Sequence, residues 1–145
     1  MRTFSLHEAQ EMLPVLESLL RGALRARHIA QEIESEGEEL QARIFINGGT
    51  LVDIRKVARR KAEREKALQN AKDALDEISA TGVQVKDLDT GLLDFPCRVE
   101  GEVVLLCWKL GEPSIAYWHG LNEGFTGRKP VDQRIANAPG SDNRD

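Results

Sequence analysis

Five residues in the second half of this 145-residue chain have side chains that could do chemistry together: Asp87, Asp89, Trp118, His119 and Arg128. The aspartates offer hard oxygen ligands or a proton-transfer pair. His119 offers an imidazole, suited to metal ligation and to proton transfer near neutral pH. Trp118 provides a flat apolar wall, and Arg128 a rigid fork of donors for an anion. The sharper readings each meet an obstacle. Asp89-Thr90-Gly91 carries the letters of an aspartic-protease site, but that chemistry needs two carboxylates sharing a proton in a dimeric β-barrel. The β-like part of this chain is too short for one, and the turn preferences of Asp and Gly explain the triplet. Asp87, Asp89 and Asp94 suggest an oxygen-ligand cation loop, but an EF-hand loop starting at Asp87 needs acids at its fifth and twelfth positions, where Gly91 and Arg98 stand. Cys107, His119 and an aspartate have the types for a nucleophile set or a metal site. No C-x-x-C or H-x-x-x-H spacing supports it, and the strand register derived below puts Cys107 and His119 on opposite faces. Cys107 then reads as a buried structural thiol.

Two further patches have functional and ordinary readings. Arg55, Lys56, Arg59, Arg60, Lys61 and Arg64 could bind phosphates. No aromatic residues interleave with them, and ion pairing to Glu34, Glu36, Glu38 and Glu39 is the favoured account. Gly124-Phe125-Thr126-Gly127-Arg128 could cradle an anion. The favoured account makes Phe125 a core plug between glycine turns. His7 and His28 read as helix-surface residues.

The elements that must position these residues follow from patterning. Ser5 and Glu8 have capping-box spacing and open a helix, with Phe4 placed to staple it. Apolar and small residues recur at Met12, Leu16, Leu19, Ala23, Ala26, Ala30, Ile33, Gly37, Leu40 and Ile44, in steps of 4 and 3, as in a coiled-coil seam. Pro14 should kink this helix. Asn47-Gly48-Gly49 predicts a turn, with Thr50 capping a second helix that ends near Ala80 against Gly82. That helix has a weaker seam through Ile54, Val57, Leu68, Ala71, Leu75 and Ile78. A short turn makes the two helices antiparallel neighbours.

Strands are predicted at Val83–Asp87, Leu92–Val99, Val103–Lys109 and Ile115–His119. A two-residue Glu100-Gly101 turn pairs Val99 with Glu102, Cys97 with Val104 and Asp94 with Cys107. Cys97 and Cys107 then lie on opposite faces and cannot bridge. A four-residue loop at 111–114 would set Trp118 beside Cys107 and turn His119 to the core face. The fold class is therefore α+β, a long antiparallel helical hairpin (5–80) followed by a small antiparallel β-meander with its Gly-rich loop (83–128). Residues 1–128 read as a single domain, and 129–145 as a mostly disordered tail.

Composition bounds the function. Hydrophobic residues at 41% suffice for a core, and a net charge of −4 argues against a general nucleic-acid binder. Two cysteines cannot build a disulfide scaffold, which favours a cytoplasmic setting. There is no apolar run near the roughly 20 residues that span a bilayer, and no signal-peptide pattern. Helix 1 is broadly apolar only in its first half, with Leu13, Leu20 and Leu24 added. The sheet should cover that half and leave the far end of the hairpin as an arm or as a homodimer contact in a four-helix arrangement.

Several motifs match a known pattern. Lys86-Asp87-Leu88-Asp89-Thr90-Gly91-Leu92-Leu93-Asp94-Phe95-Pro96 resembles a hallmark segment of a bacterial family of unknown function, numbered 2203 among such domains. Leu106–Glu112 resembles its second segment, and Trp118-His119 with Gly124–Arg128 its third. Phe4–Ala9 with Leu13-Pro14 is similar to its opening. The resemblance covers nearly all of the chain except the tail. It implies a small bacterial protein with a helical and a β part, and it carries over no activity, cofactor or catalytic residue.

The resulting expectation is a non-catalytic homodimeric interaction protein that offers its sheet or loops to a protein partner. The alternative is a ligand- or metal-binding protein, an enzyme included, using Asp87, Asp89, Trp118, His119 and Arg128. No cofactor is identified.

Overall fold

The computed structural model describes residues 2–46, 48 and 52–140. Helix α1 spans Leu6–Ile46 and α2 spans Ile54–Ala80. Strands β1 (Gln84–Asp87), β2 (Leu92–Val99), β3 (Glu102–Lys109), β4 (Tyr117–Gly120) and β5 (Lys129–Pro130) form one antiparallel sheet in chain order. A 3-10 turn at Phe125–Gly127 precedes β5, and the short helix α3 (Gln133–Ala136) follows it. Two packed helices and a sheet make the α+β fold expected. Among the described residues no helix is long and apolar enough to cross a membrane. The chain divides into two compact units, Met1–Leu20 with Leu75–Asp145, and Arg21–Ala74.

In the first unit, α1 begins where its capping box requires. The Ser5 N–H donates to Glu8 Oε1 at 2.9 Å, and the Glu8 N–H to Ser5 Oγ at 3.0 Å. The helix runs on unbroken through Pro14 and Gly37. Leu13, Leu16 and Leu20 from α1 are buried, as are Ile78, Val83, Leu93, Phe95, Cys97, Leu106 and Trp108. Phe4 meets Phe95 edge-on, with ring centroids 5.9 Å apart. Helix α2 stops as predicted at Gly82, whose φ of +98° is open to glycine. The second hairpin turns at Glu100 (φ +52°) and Gly101 (φ +84°), the paired positive values of a two-residue turn. That turn sets the β2–β3 register in full, including Cys97 opposite Val104 and Asp94 opposite Cys107.

Three expectations are corrected here. The β4 strand is shifted by one residue: Cys107 faces Tyr117, Leu106 faces Trp118 and Leu105 faces His119. Pro113–Ala116 does not pair with β3, because Gln10 of α1 grips Ile115 instead. The Gln10 side chain accepts from Ile115 N at 3.2 Å and donates to its carbonyl at 3.4 Å. A slip of one residue exchanges the two faces of a strand. The Phe125 plug also fails: Phe125 is 42% exposed, with the Arg128 and Lys109 cations over its ring. Finally, the chain beyond Lys129 carries β5 and α3 where composition suggests a tail. Ile135 is fully buried, and Asp132 caps α3 by accepting from Ile135 N.

In the second unit, buried Ala23, Ala26, Ala30 and Ile33 of α1 and Ala67 and Ala71 of α2 form the seam. Small side chains let two helix backbones approach closely. The α2 seam runs through Ala67, leaving Leu68 39% exposed. Arg60 donates to Glu36 at 2.6 Å and Arg64 to Glu34 at 2.7 Å, the ion pairs the sequence suggests. The Thr50 cap and most of the Asn47-Gly48-Gly49 turn lie outside the described residues. Asp53 caps the described start of α2, accepting from Arg55 N and Lys56 N.

Candidate functional site

The register correction creates a cluster. Asp94 on β2 pairs directly with Cys107 on β3, and His119 lies two residues beyond the Cys107 partner Tyr117 on β4. Side chains two apart on a strand share a face. Three adjacent strands therefore each send one polar side chain to one spot. The Asp94 carboxylate, the Cys107 thiol and an His119 ring nitrogen all lie within 4.8 Å of one another, and all three residues are buried.

The hydrogen bonds fix the imidazole. His119 Nδ1 lies 2.9 Å from the Gly120 carbonyl, and Nε2 lies 3.2 Å from Asp94 Oδ1. A carbonyl only accepts, so Nδ1 carries a hydrogen and donates it. Nε2 is then the nitrogen turned into the cluster. The side chains of His119 and Asp94 are each 3% exposed, so bulk water does not mediate the contact. Burial pushes the Cys107 thiol up to about 11, with the Asp94 charge adding to the rise and Arg128 opposing it. A buried neutral thiol whose histidine has both nitrogens occupied is not an activated nucleophile.

Arg128 closes one side. Its guanidinium donates to the Cys107 carbonyl at 3.1 Å and to Glu112 Oε1 at 2.6 Å. It also stacks over Tyr117 at 4.2 Å and Phe125 at 4.6 Å. Burial raises the Glu112 carboxyl, but the Arg128 and Lys109 bonds outweigh it and hold the group below its usual value.

Of the five residues singled out from the sequence, the structure brings His119 to the Cys107 thiol and Arg128 to the Cys107 carbonyl. It does not bring the other three there. Asp87 serves the β1–β2 turn, accepting from Asp89 N at 3.0 Å and Thr90 Oγ1 at 2.9 Å. With Asp87 on β1 and His119 on β4, three strand spacings of about 4.8 Å separate them. Trp118 points to the opposite face from His119, under the cations of Lys129 and Arg134 at 4.7 and 5.7 Å. Sequence reasoning weighed Cys107 with His119 and an aspartate but set the group aside on the predicted register, and it missed Glu112 as a member of the site. The Asp94–Cys107 pairing was available from the Glu100-Gly101 turn; the placement of His119 was not, because it depends on Gln10.

The second feature with a functional look is the hairpin surface in Arg21–Ala74. Phe45 is 88%, Ile46 78%, Ile54 78% and Val57 43% exposed. Gly37, Leu40, Val52 and Val57 help line a groove of about 570 Å³ flanked by Glu34, Glu36, Arg60 and Arg64.

Neither a curated protein nor a solved structure matches the chain. A family model does, described as uncharacterized conserved protein (DUF2203), and its match covers residues 2–131. A match over nearly the whole chain, taking in α1, α2, the five strands and every residue of the buried cluster, means that the protein belongs to the DUF2203 family.

Proposed function

We propose that the protein is a non-catalytic interaction protein of the bacterial cytoplasm. In this reading it works as a homodimer joined by a coiled-coil contact between hairpins, and it offers its sheet unit to a protein partner. The observation that carries the reading is the pattern of charge and apolar exposure in the part of the hairpin nearest its turn. There α1 is acidic, with Glu32, Glu34, Glu36, Glu38 and Glu39, and α2 is basic, with Arg55, Lys56, Arg59, Arg60, Lys61 and Arg64. The Arg60–Glu36 and Arg64–Glu34 pairs hold the two stretches level. A two-fold axis along the hairpin sets each acidic helix between two basic ones, with every neighbour antiparallel, as in a four-helix bundle. The same operation covers Ile54 and Val57 and fills the groove beside Gly37, where an added Cβ would meet nothing within 4 Å. Exposed apolar strips with polar borders are characteristic of protein interfaces.

Two further observations support the rest of the reading. Cys97 and Cys107 are buried free thiols, as a reducing compartment allows. The raised Cys107 thiol and the fully engaged His119 ring argue against covalent catalysis at the buried cluster. Light scattering at micromolar concentration tests the dimer. The unaltered protein should give twice the chain mass of 16.2 kDa, and Ile54→Glu/Val57→Glu should give a monomer with unchanged helix content. A strict monomer for the unaltered protein overturns the reading.

A further inference from the structure

The geometry points to a zinc-class divalent metal site formed by Asp94 on β2, Cys107 on β3 and His119 on β4. This inference does not depend on self-association through the hairpin. The three donor atoms already converge within 4.8 Å on one face of the sheet. Ligands at 2.0 to 2.3 Å around a tetrahedral ion stand a little over 3 Å apart, close to the 3.2 Å between His119 Nε2 and Asp94 Oδ1. The imidazole is already oriented as a ligand needs, once the hydrogen between Nε2 and Asp94 is lost. Its Nδ1–H is anchored on the Gly120 carbonyl at 2.9 Å, and Nε2 faces the other donors. Metal-bound histidines characteristically tie their second nitrogen to a carbonyl or carboxylate in this way, which fixes the ring.

Donor type and charge select the metal. A thiolate with an imidazole and a carboxylate suits zinc, whereas calcium and magnesium demand oxygen ligands throughout. One divalent ion with the Cys107 thiolate, the Asp94 carboxylate and a neutral His119 sums to zero. The neighbouring Arg128–Glu112 pair, at 2.6 Å, also sums to zero. The loaded centre is thus neutral in a buried place, where an unbalanced charge is costly. Binding must displace both the thiol proton and the hydrogen between His119 Nε2 and Asp94, which leave for solvent, so uptake is accompanied by proton release. With the ligands on three adjacent strands and nearly no exposure, the ion would clamp β2, β3 and β4 rather than meet a substrate. One coordination position remains for a water.

The test uses the full chain, stripped with a chelator and titrated with Co²⁺ and Zn²⁺. We expect one ion per chain, a cobalt–thiolate charge-transfer band with visible d–d bands, and displacement of both by Zn²⁺. His119→Gln should weaken binding by more than about tenfold, the loss typical of even an outer-shell partner. Cys107→Ser should abolish the charge-transfer band, while Cys97→Ser should leave it intact. Absence of the band in the unaltered protein, or its survival in Cys107→Ser, overturns the assignment. If Cys107→Ser does not fold by circular dichroism, zinc-edge X-ray absorption of the unaltered protein settles the same point. A sulfur in the shell supports the site, and an all-oxygen or nitrogen shell refutes it.

Discussion

Asp94 and His119 are buried hydrogen-bond partners, and that dependence fixes how the energetics should respond to mutation. In chelated, metal-free protein, Asp94→Leu removes the partner of His119 Nε2 and supplies no other. The Nδ1 bond to Gly120 holds the ring in place, so Nε2 cannot turn away to find one. A buried polar atom left unsatisfied costs about 1–3 kcal/mol. His119→Phe has the harsher effect, because it leaves a carboxylate 3% exposed with only the Cys107 thiol to face it. A buried acceptor that loses its donor costs more when it is charged than when it is neutral, about 3 kcal/mol or more. The double substitution leaves neither group orphaned and keeps the volume roughly constant, so its cost should stay within about 1.5 kcal/mol. The double mutant should therefore be more stable than Asp94→Leu or His119→Phe taken to their sum by several kcal/mol. Urea unfolding of the four proteins in chelator measures this directly. Additivity within about 0.5 kcal/mol would show that the two groups do not depend on each other and would refute the reasoning.

Two other predictions concern the surroundings of the site. Gly91 has φ +72°, and an added Cβ would stand 2.6 Å from Leu110 Cβ, an atom fixed to backbone that Gly91 itself bonds at 2.9 Å. Strain at positive φ and overpacking together should make Gly91→Ala cost about 2–4 kcal/mol in urea unfolding. Glu112 is held below its ordinary carboxyl value of 4.5, so the folded state binds its proton more weakly than the unfolded state. Its contribution is present above 4.5 and is lost as pH falls through the lower folded value. Glu112→Gln should therefore reduce neutral-pH stability and flatten the acid limb below 4.5, followed by thermal melts across that range.

The parts of the fold legible in the sequence were those set by local chemistry. Ser5 and Glu8 open α1 through two bonds three residues apart, and Glu100-Gly101 specifies both a turn and the register of sixteen residues around it. The parts that were not legible depend on distant partners. The β4 register is set by Gln10, 105 residues from Ile115, and no spacing near Trp118 and His119 reveals that grip. The resulting one-residue error separated Cys107 from His119 and hid the cluster. The α2 seam failed more mildly: Leu68 is the more apolar choice, but Ala67 is the residue buried and Leu68 is left 39% exposed. Ile135 lies in a polar stretch with no periodicity, so nothing there announced a buried anchor.

The first unit is assembled from two stretches of chain interrupted by the hairpin. On the ribosome, Leu13, Leu16 and Leu20 emerge before any of Leu75–Ile135 exists to shelter them. At roughly 5–20 residues per second, the intervening segment occupies several seconds of synthesis. During that time the nascent hairpin can zip up by neighbouring contacts, while the greasy start of α1 waits uncovered. Chaperone dependence, where it exists, should therefore track the distance between Leu20 and Leu75, and shortening the hairpin by matched turns should relieve it.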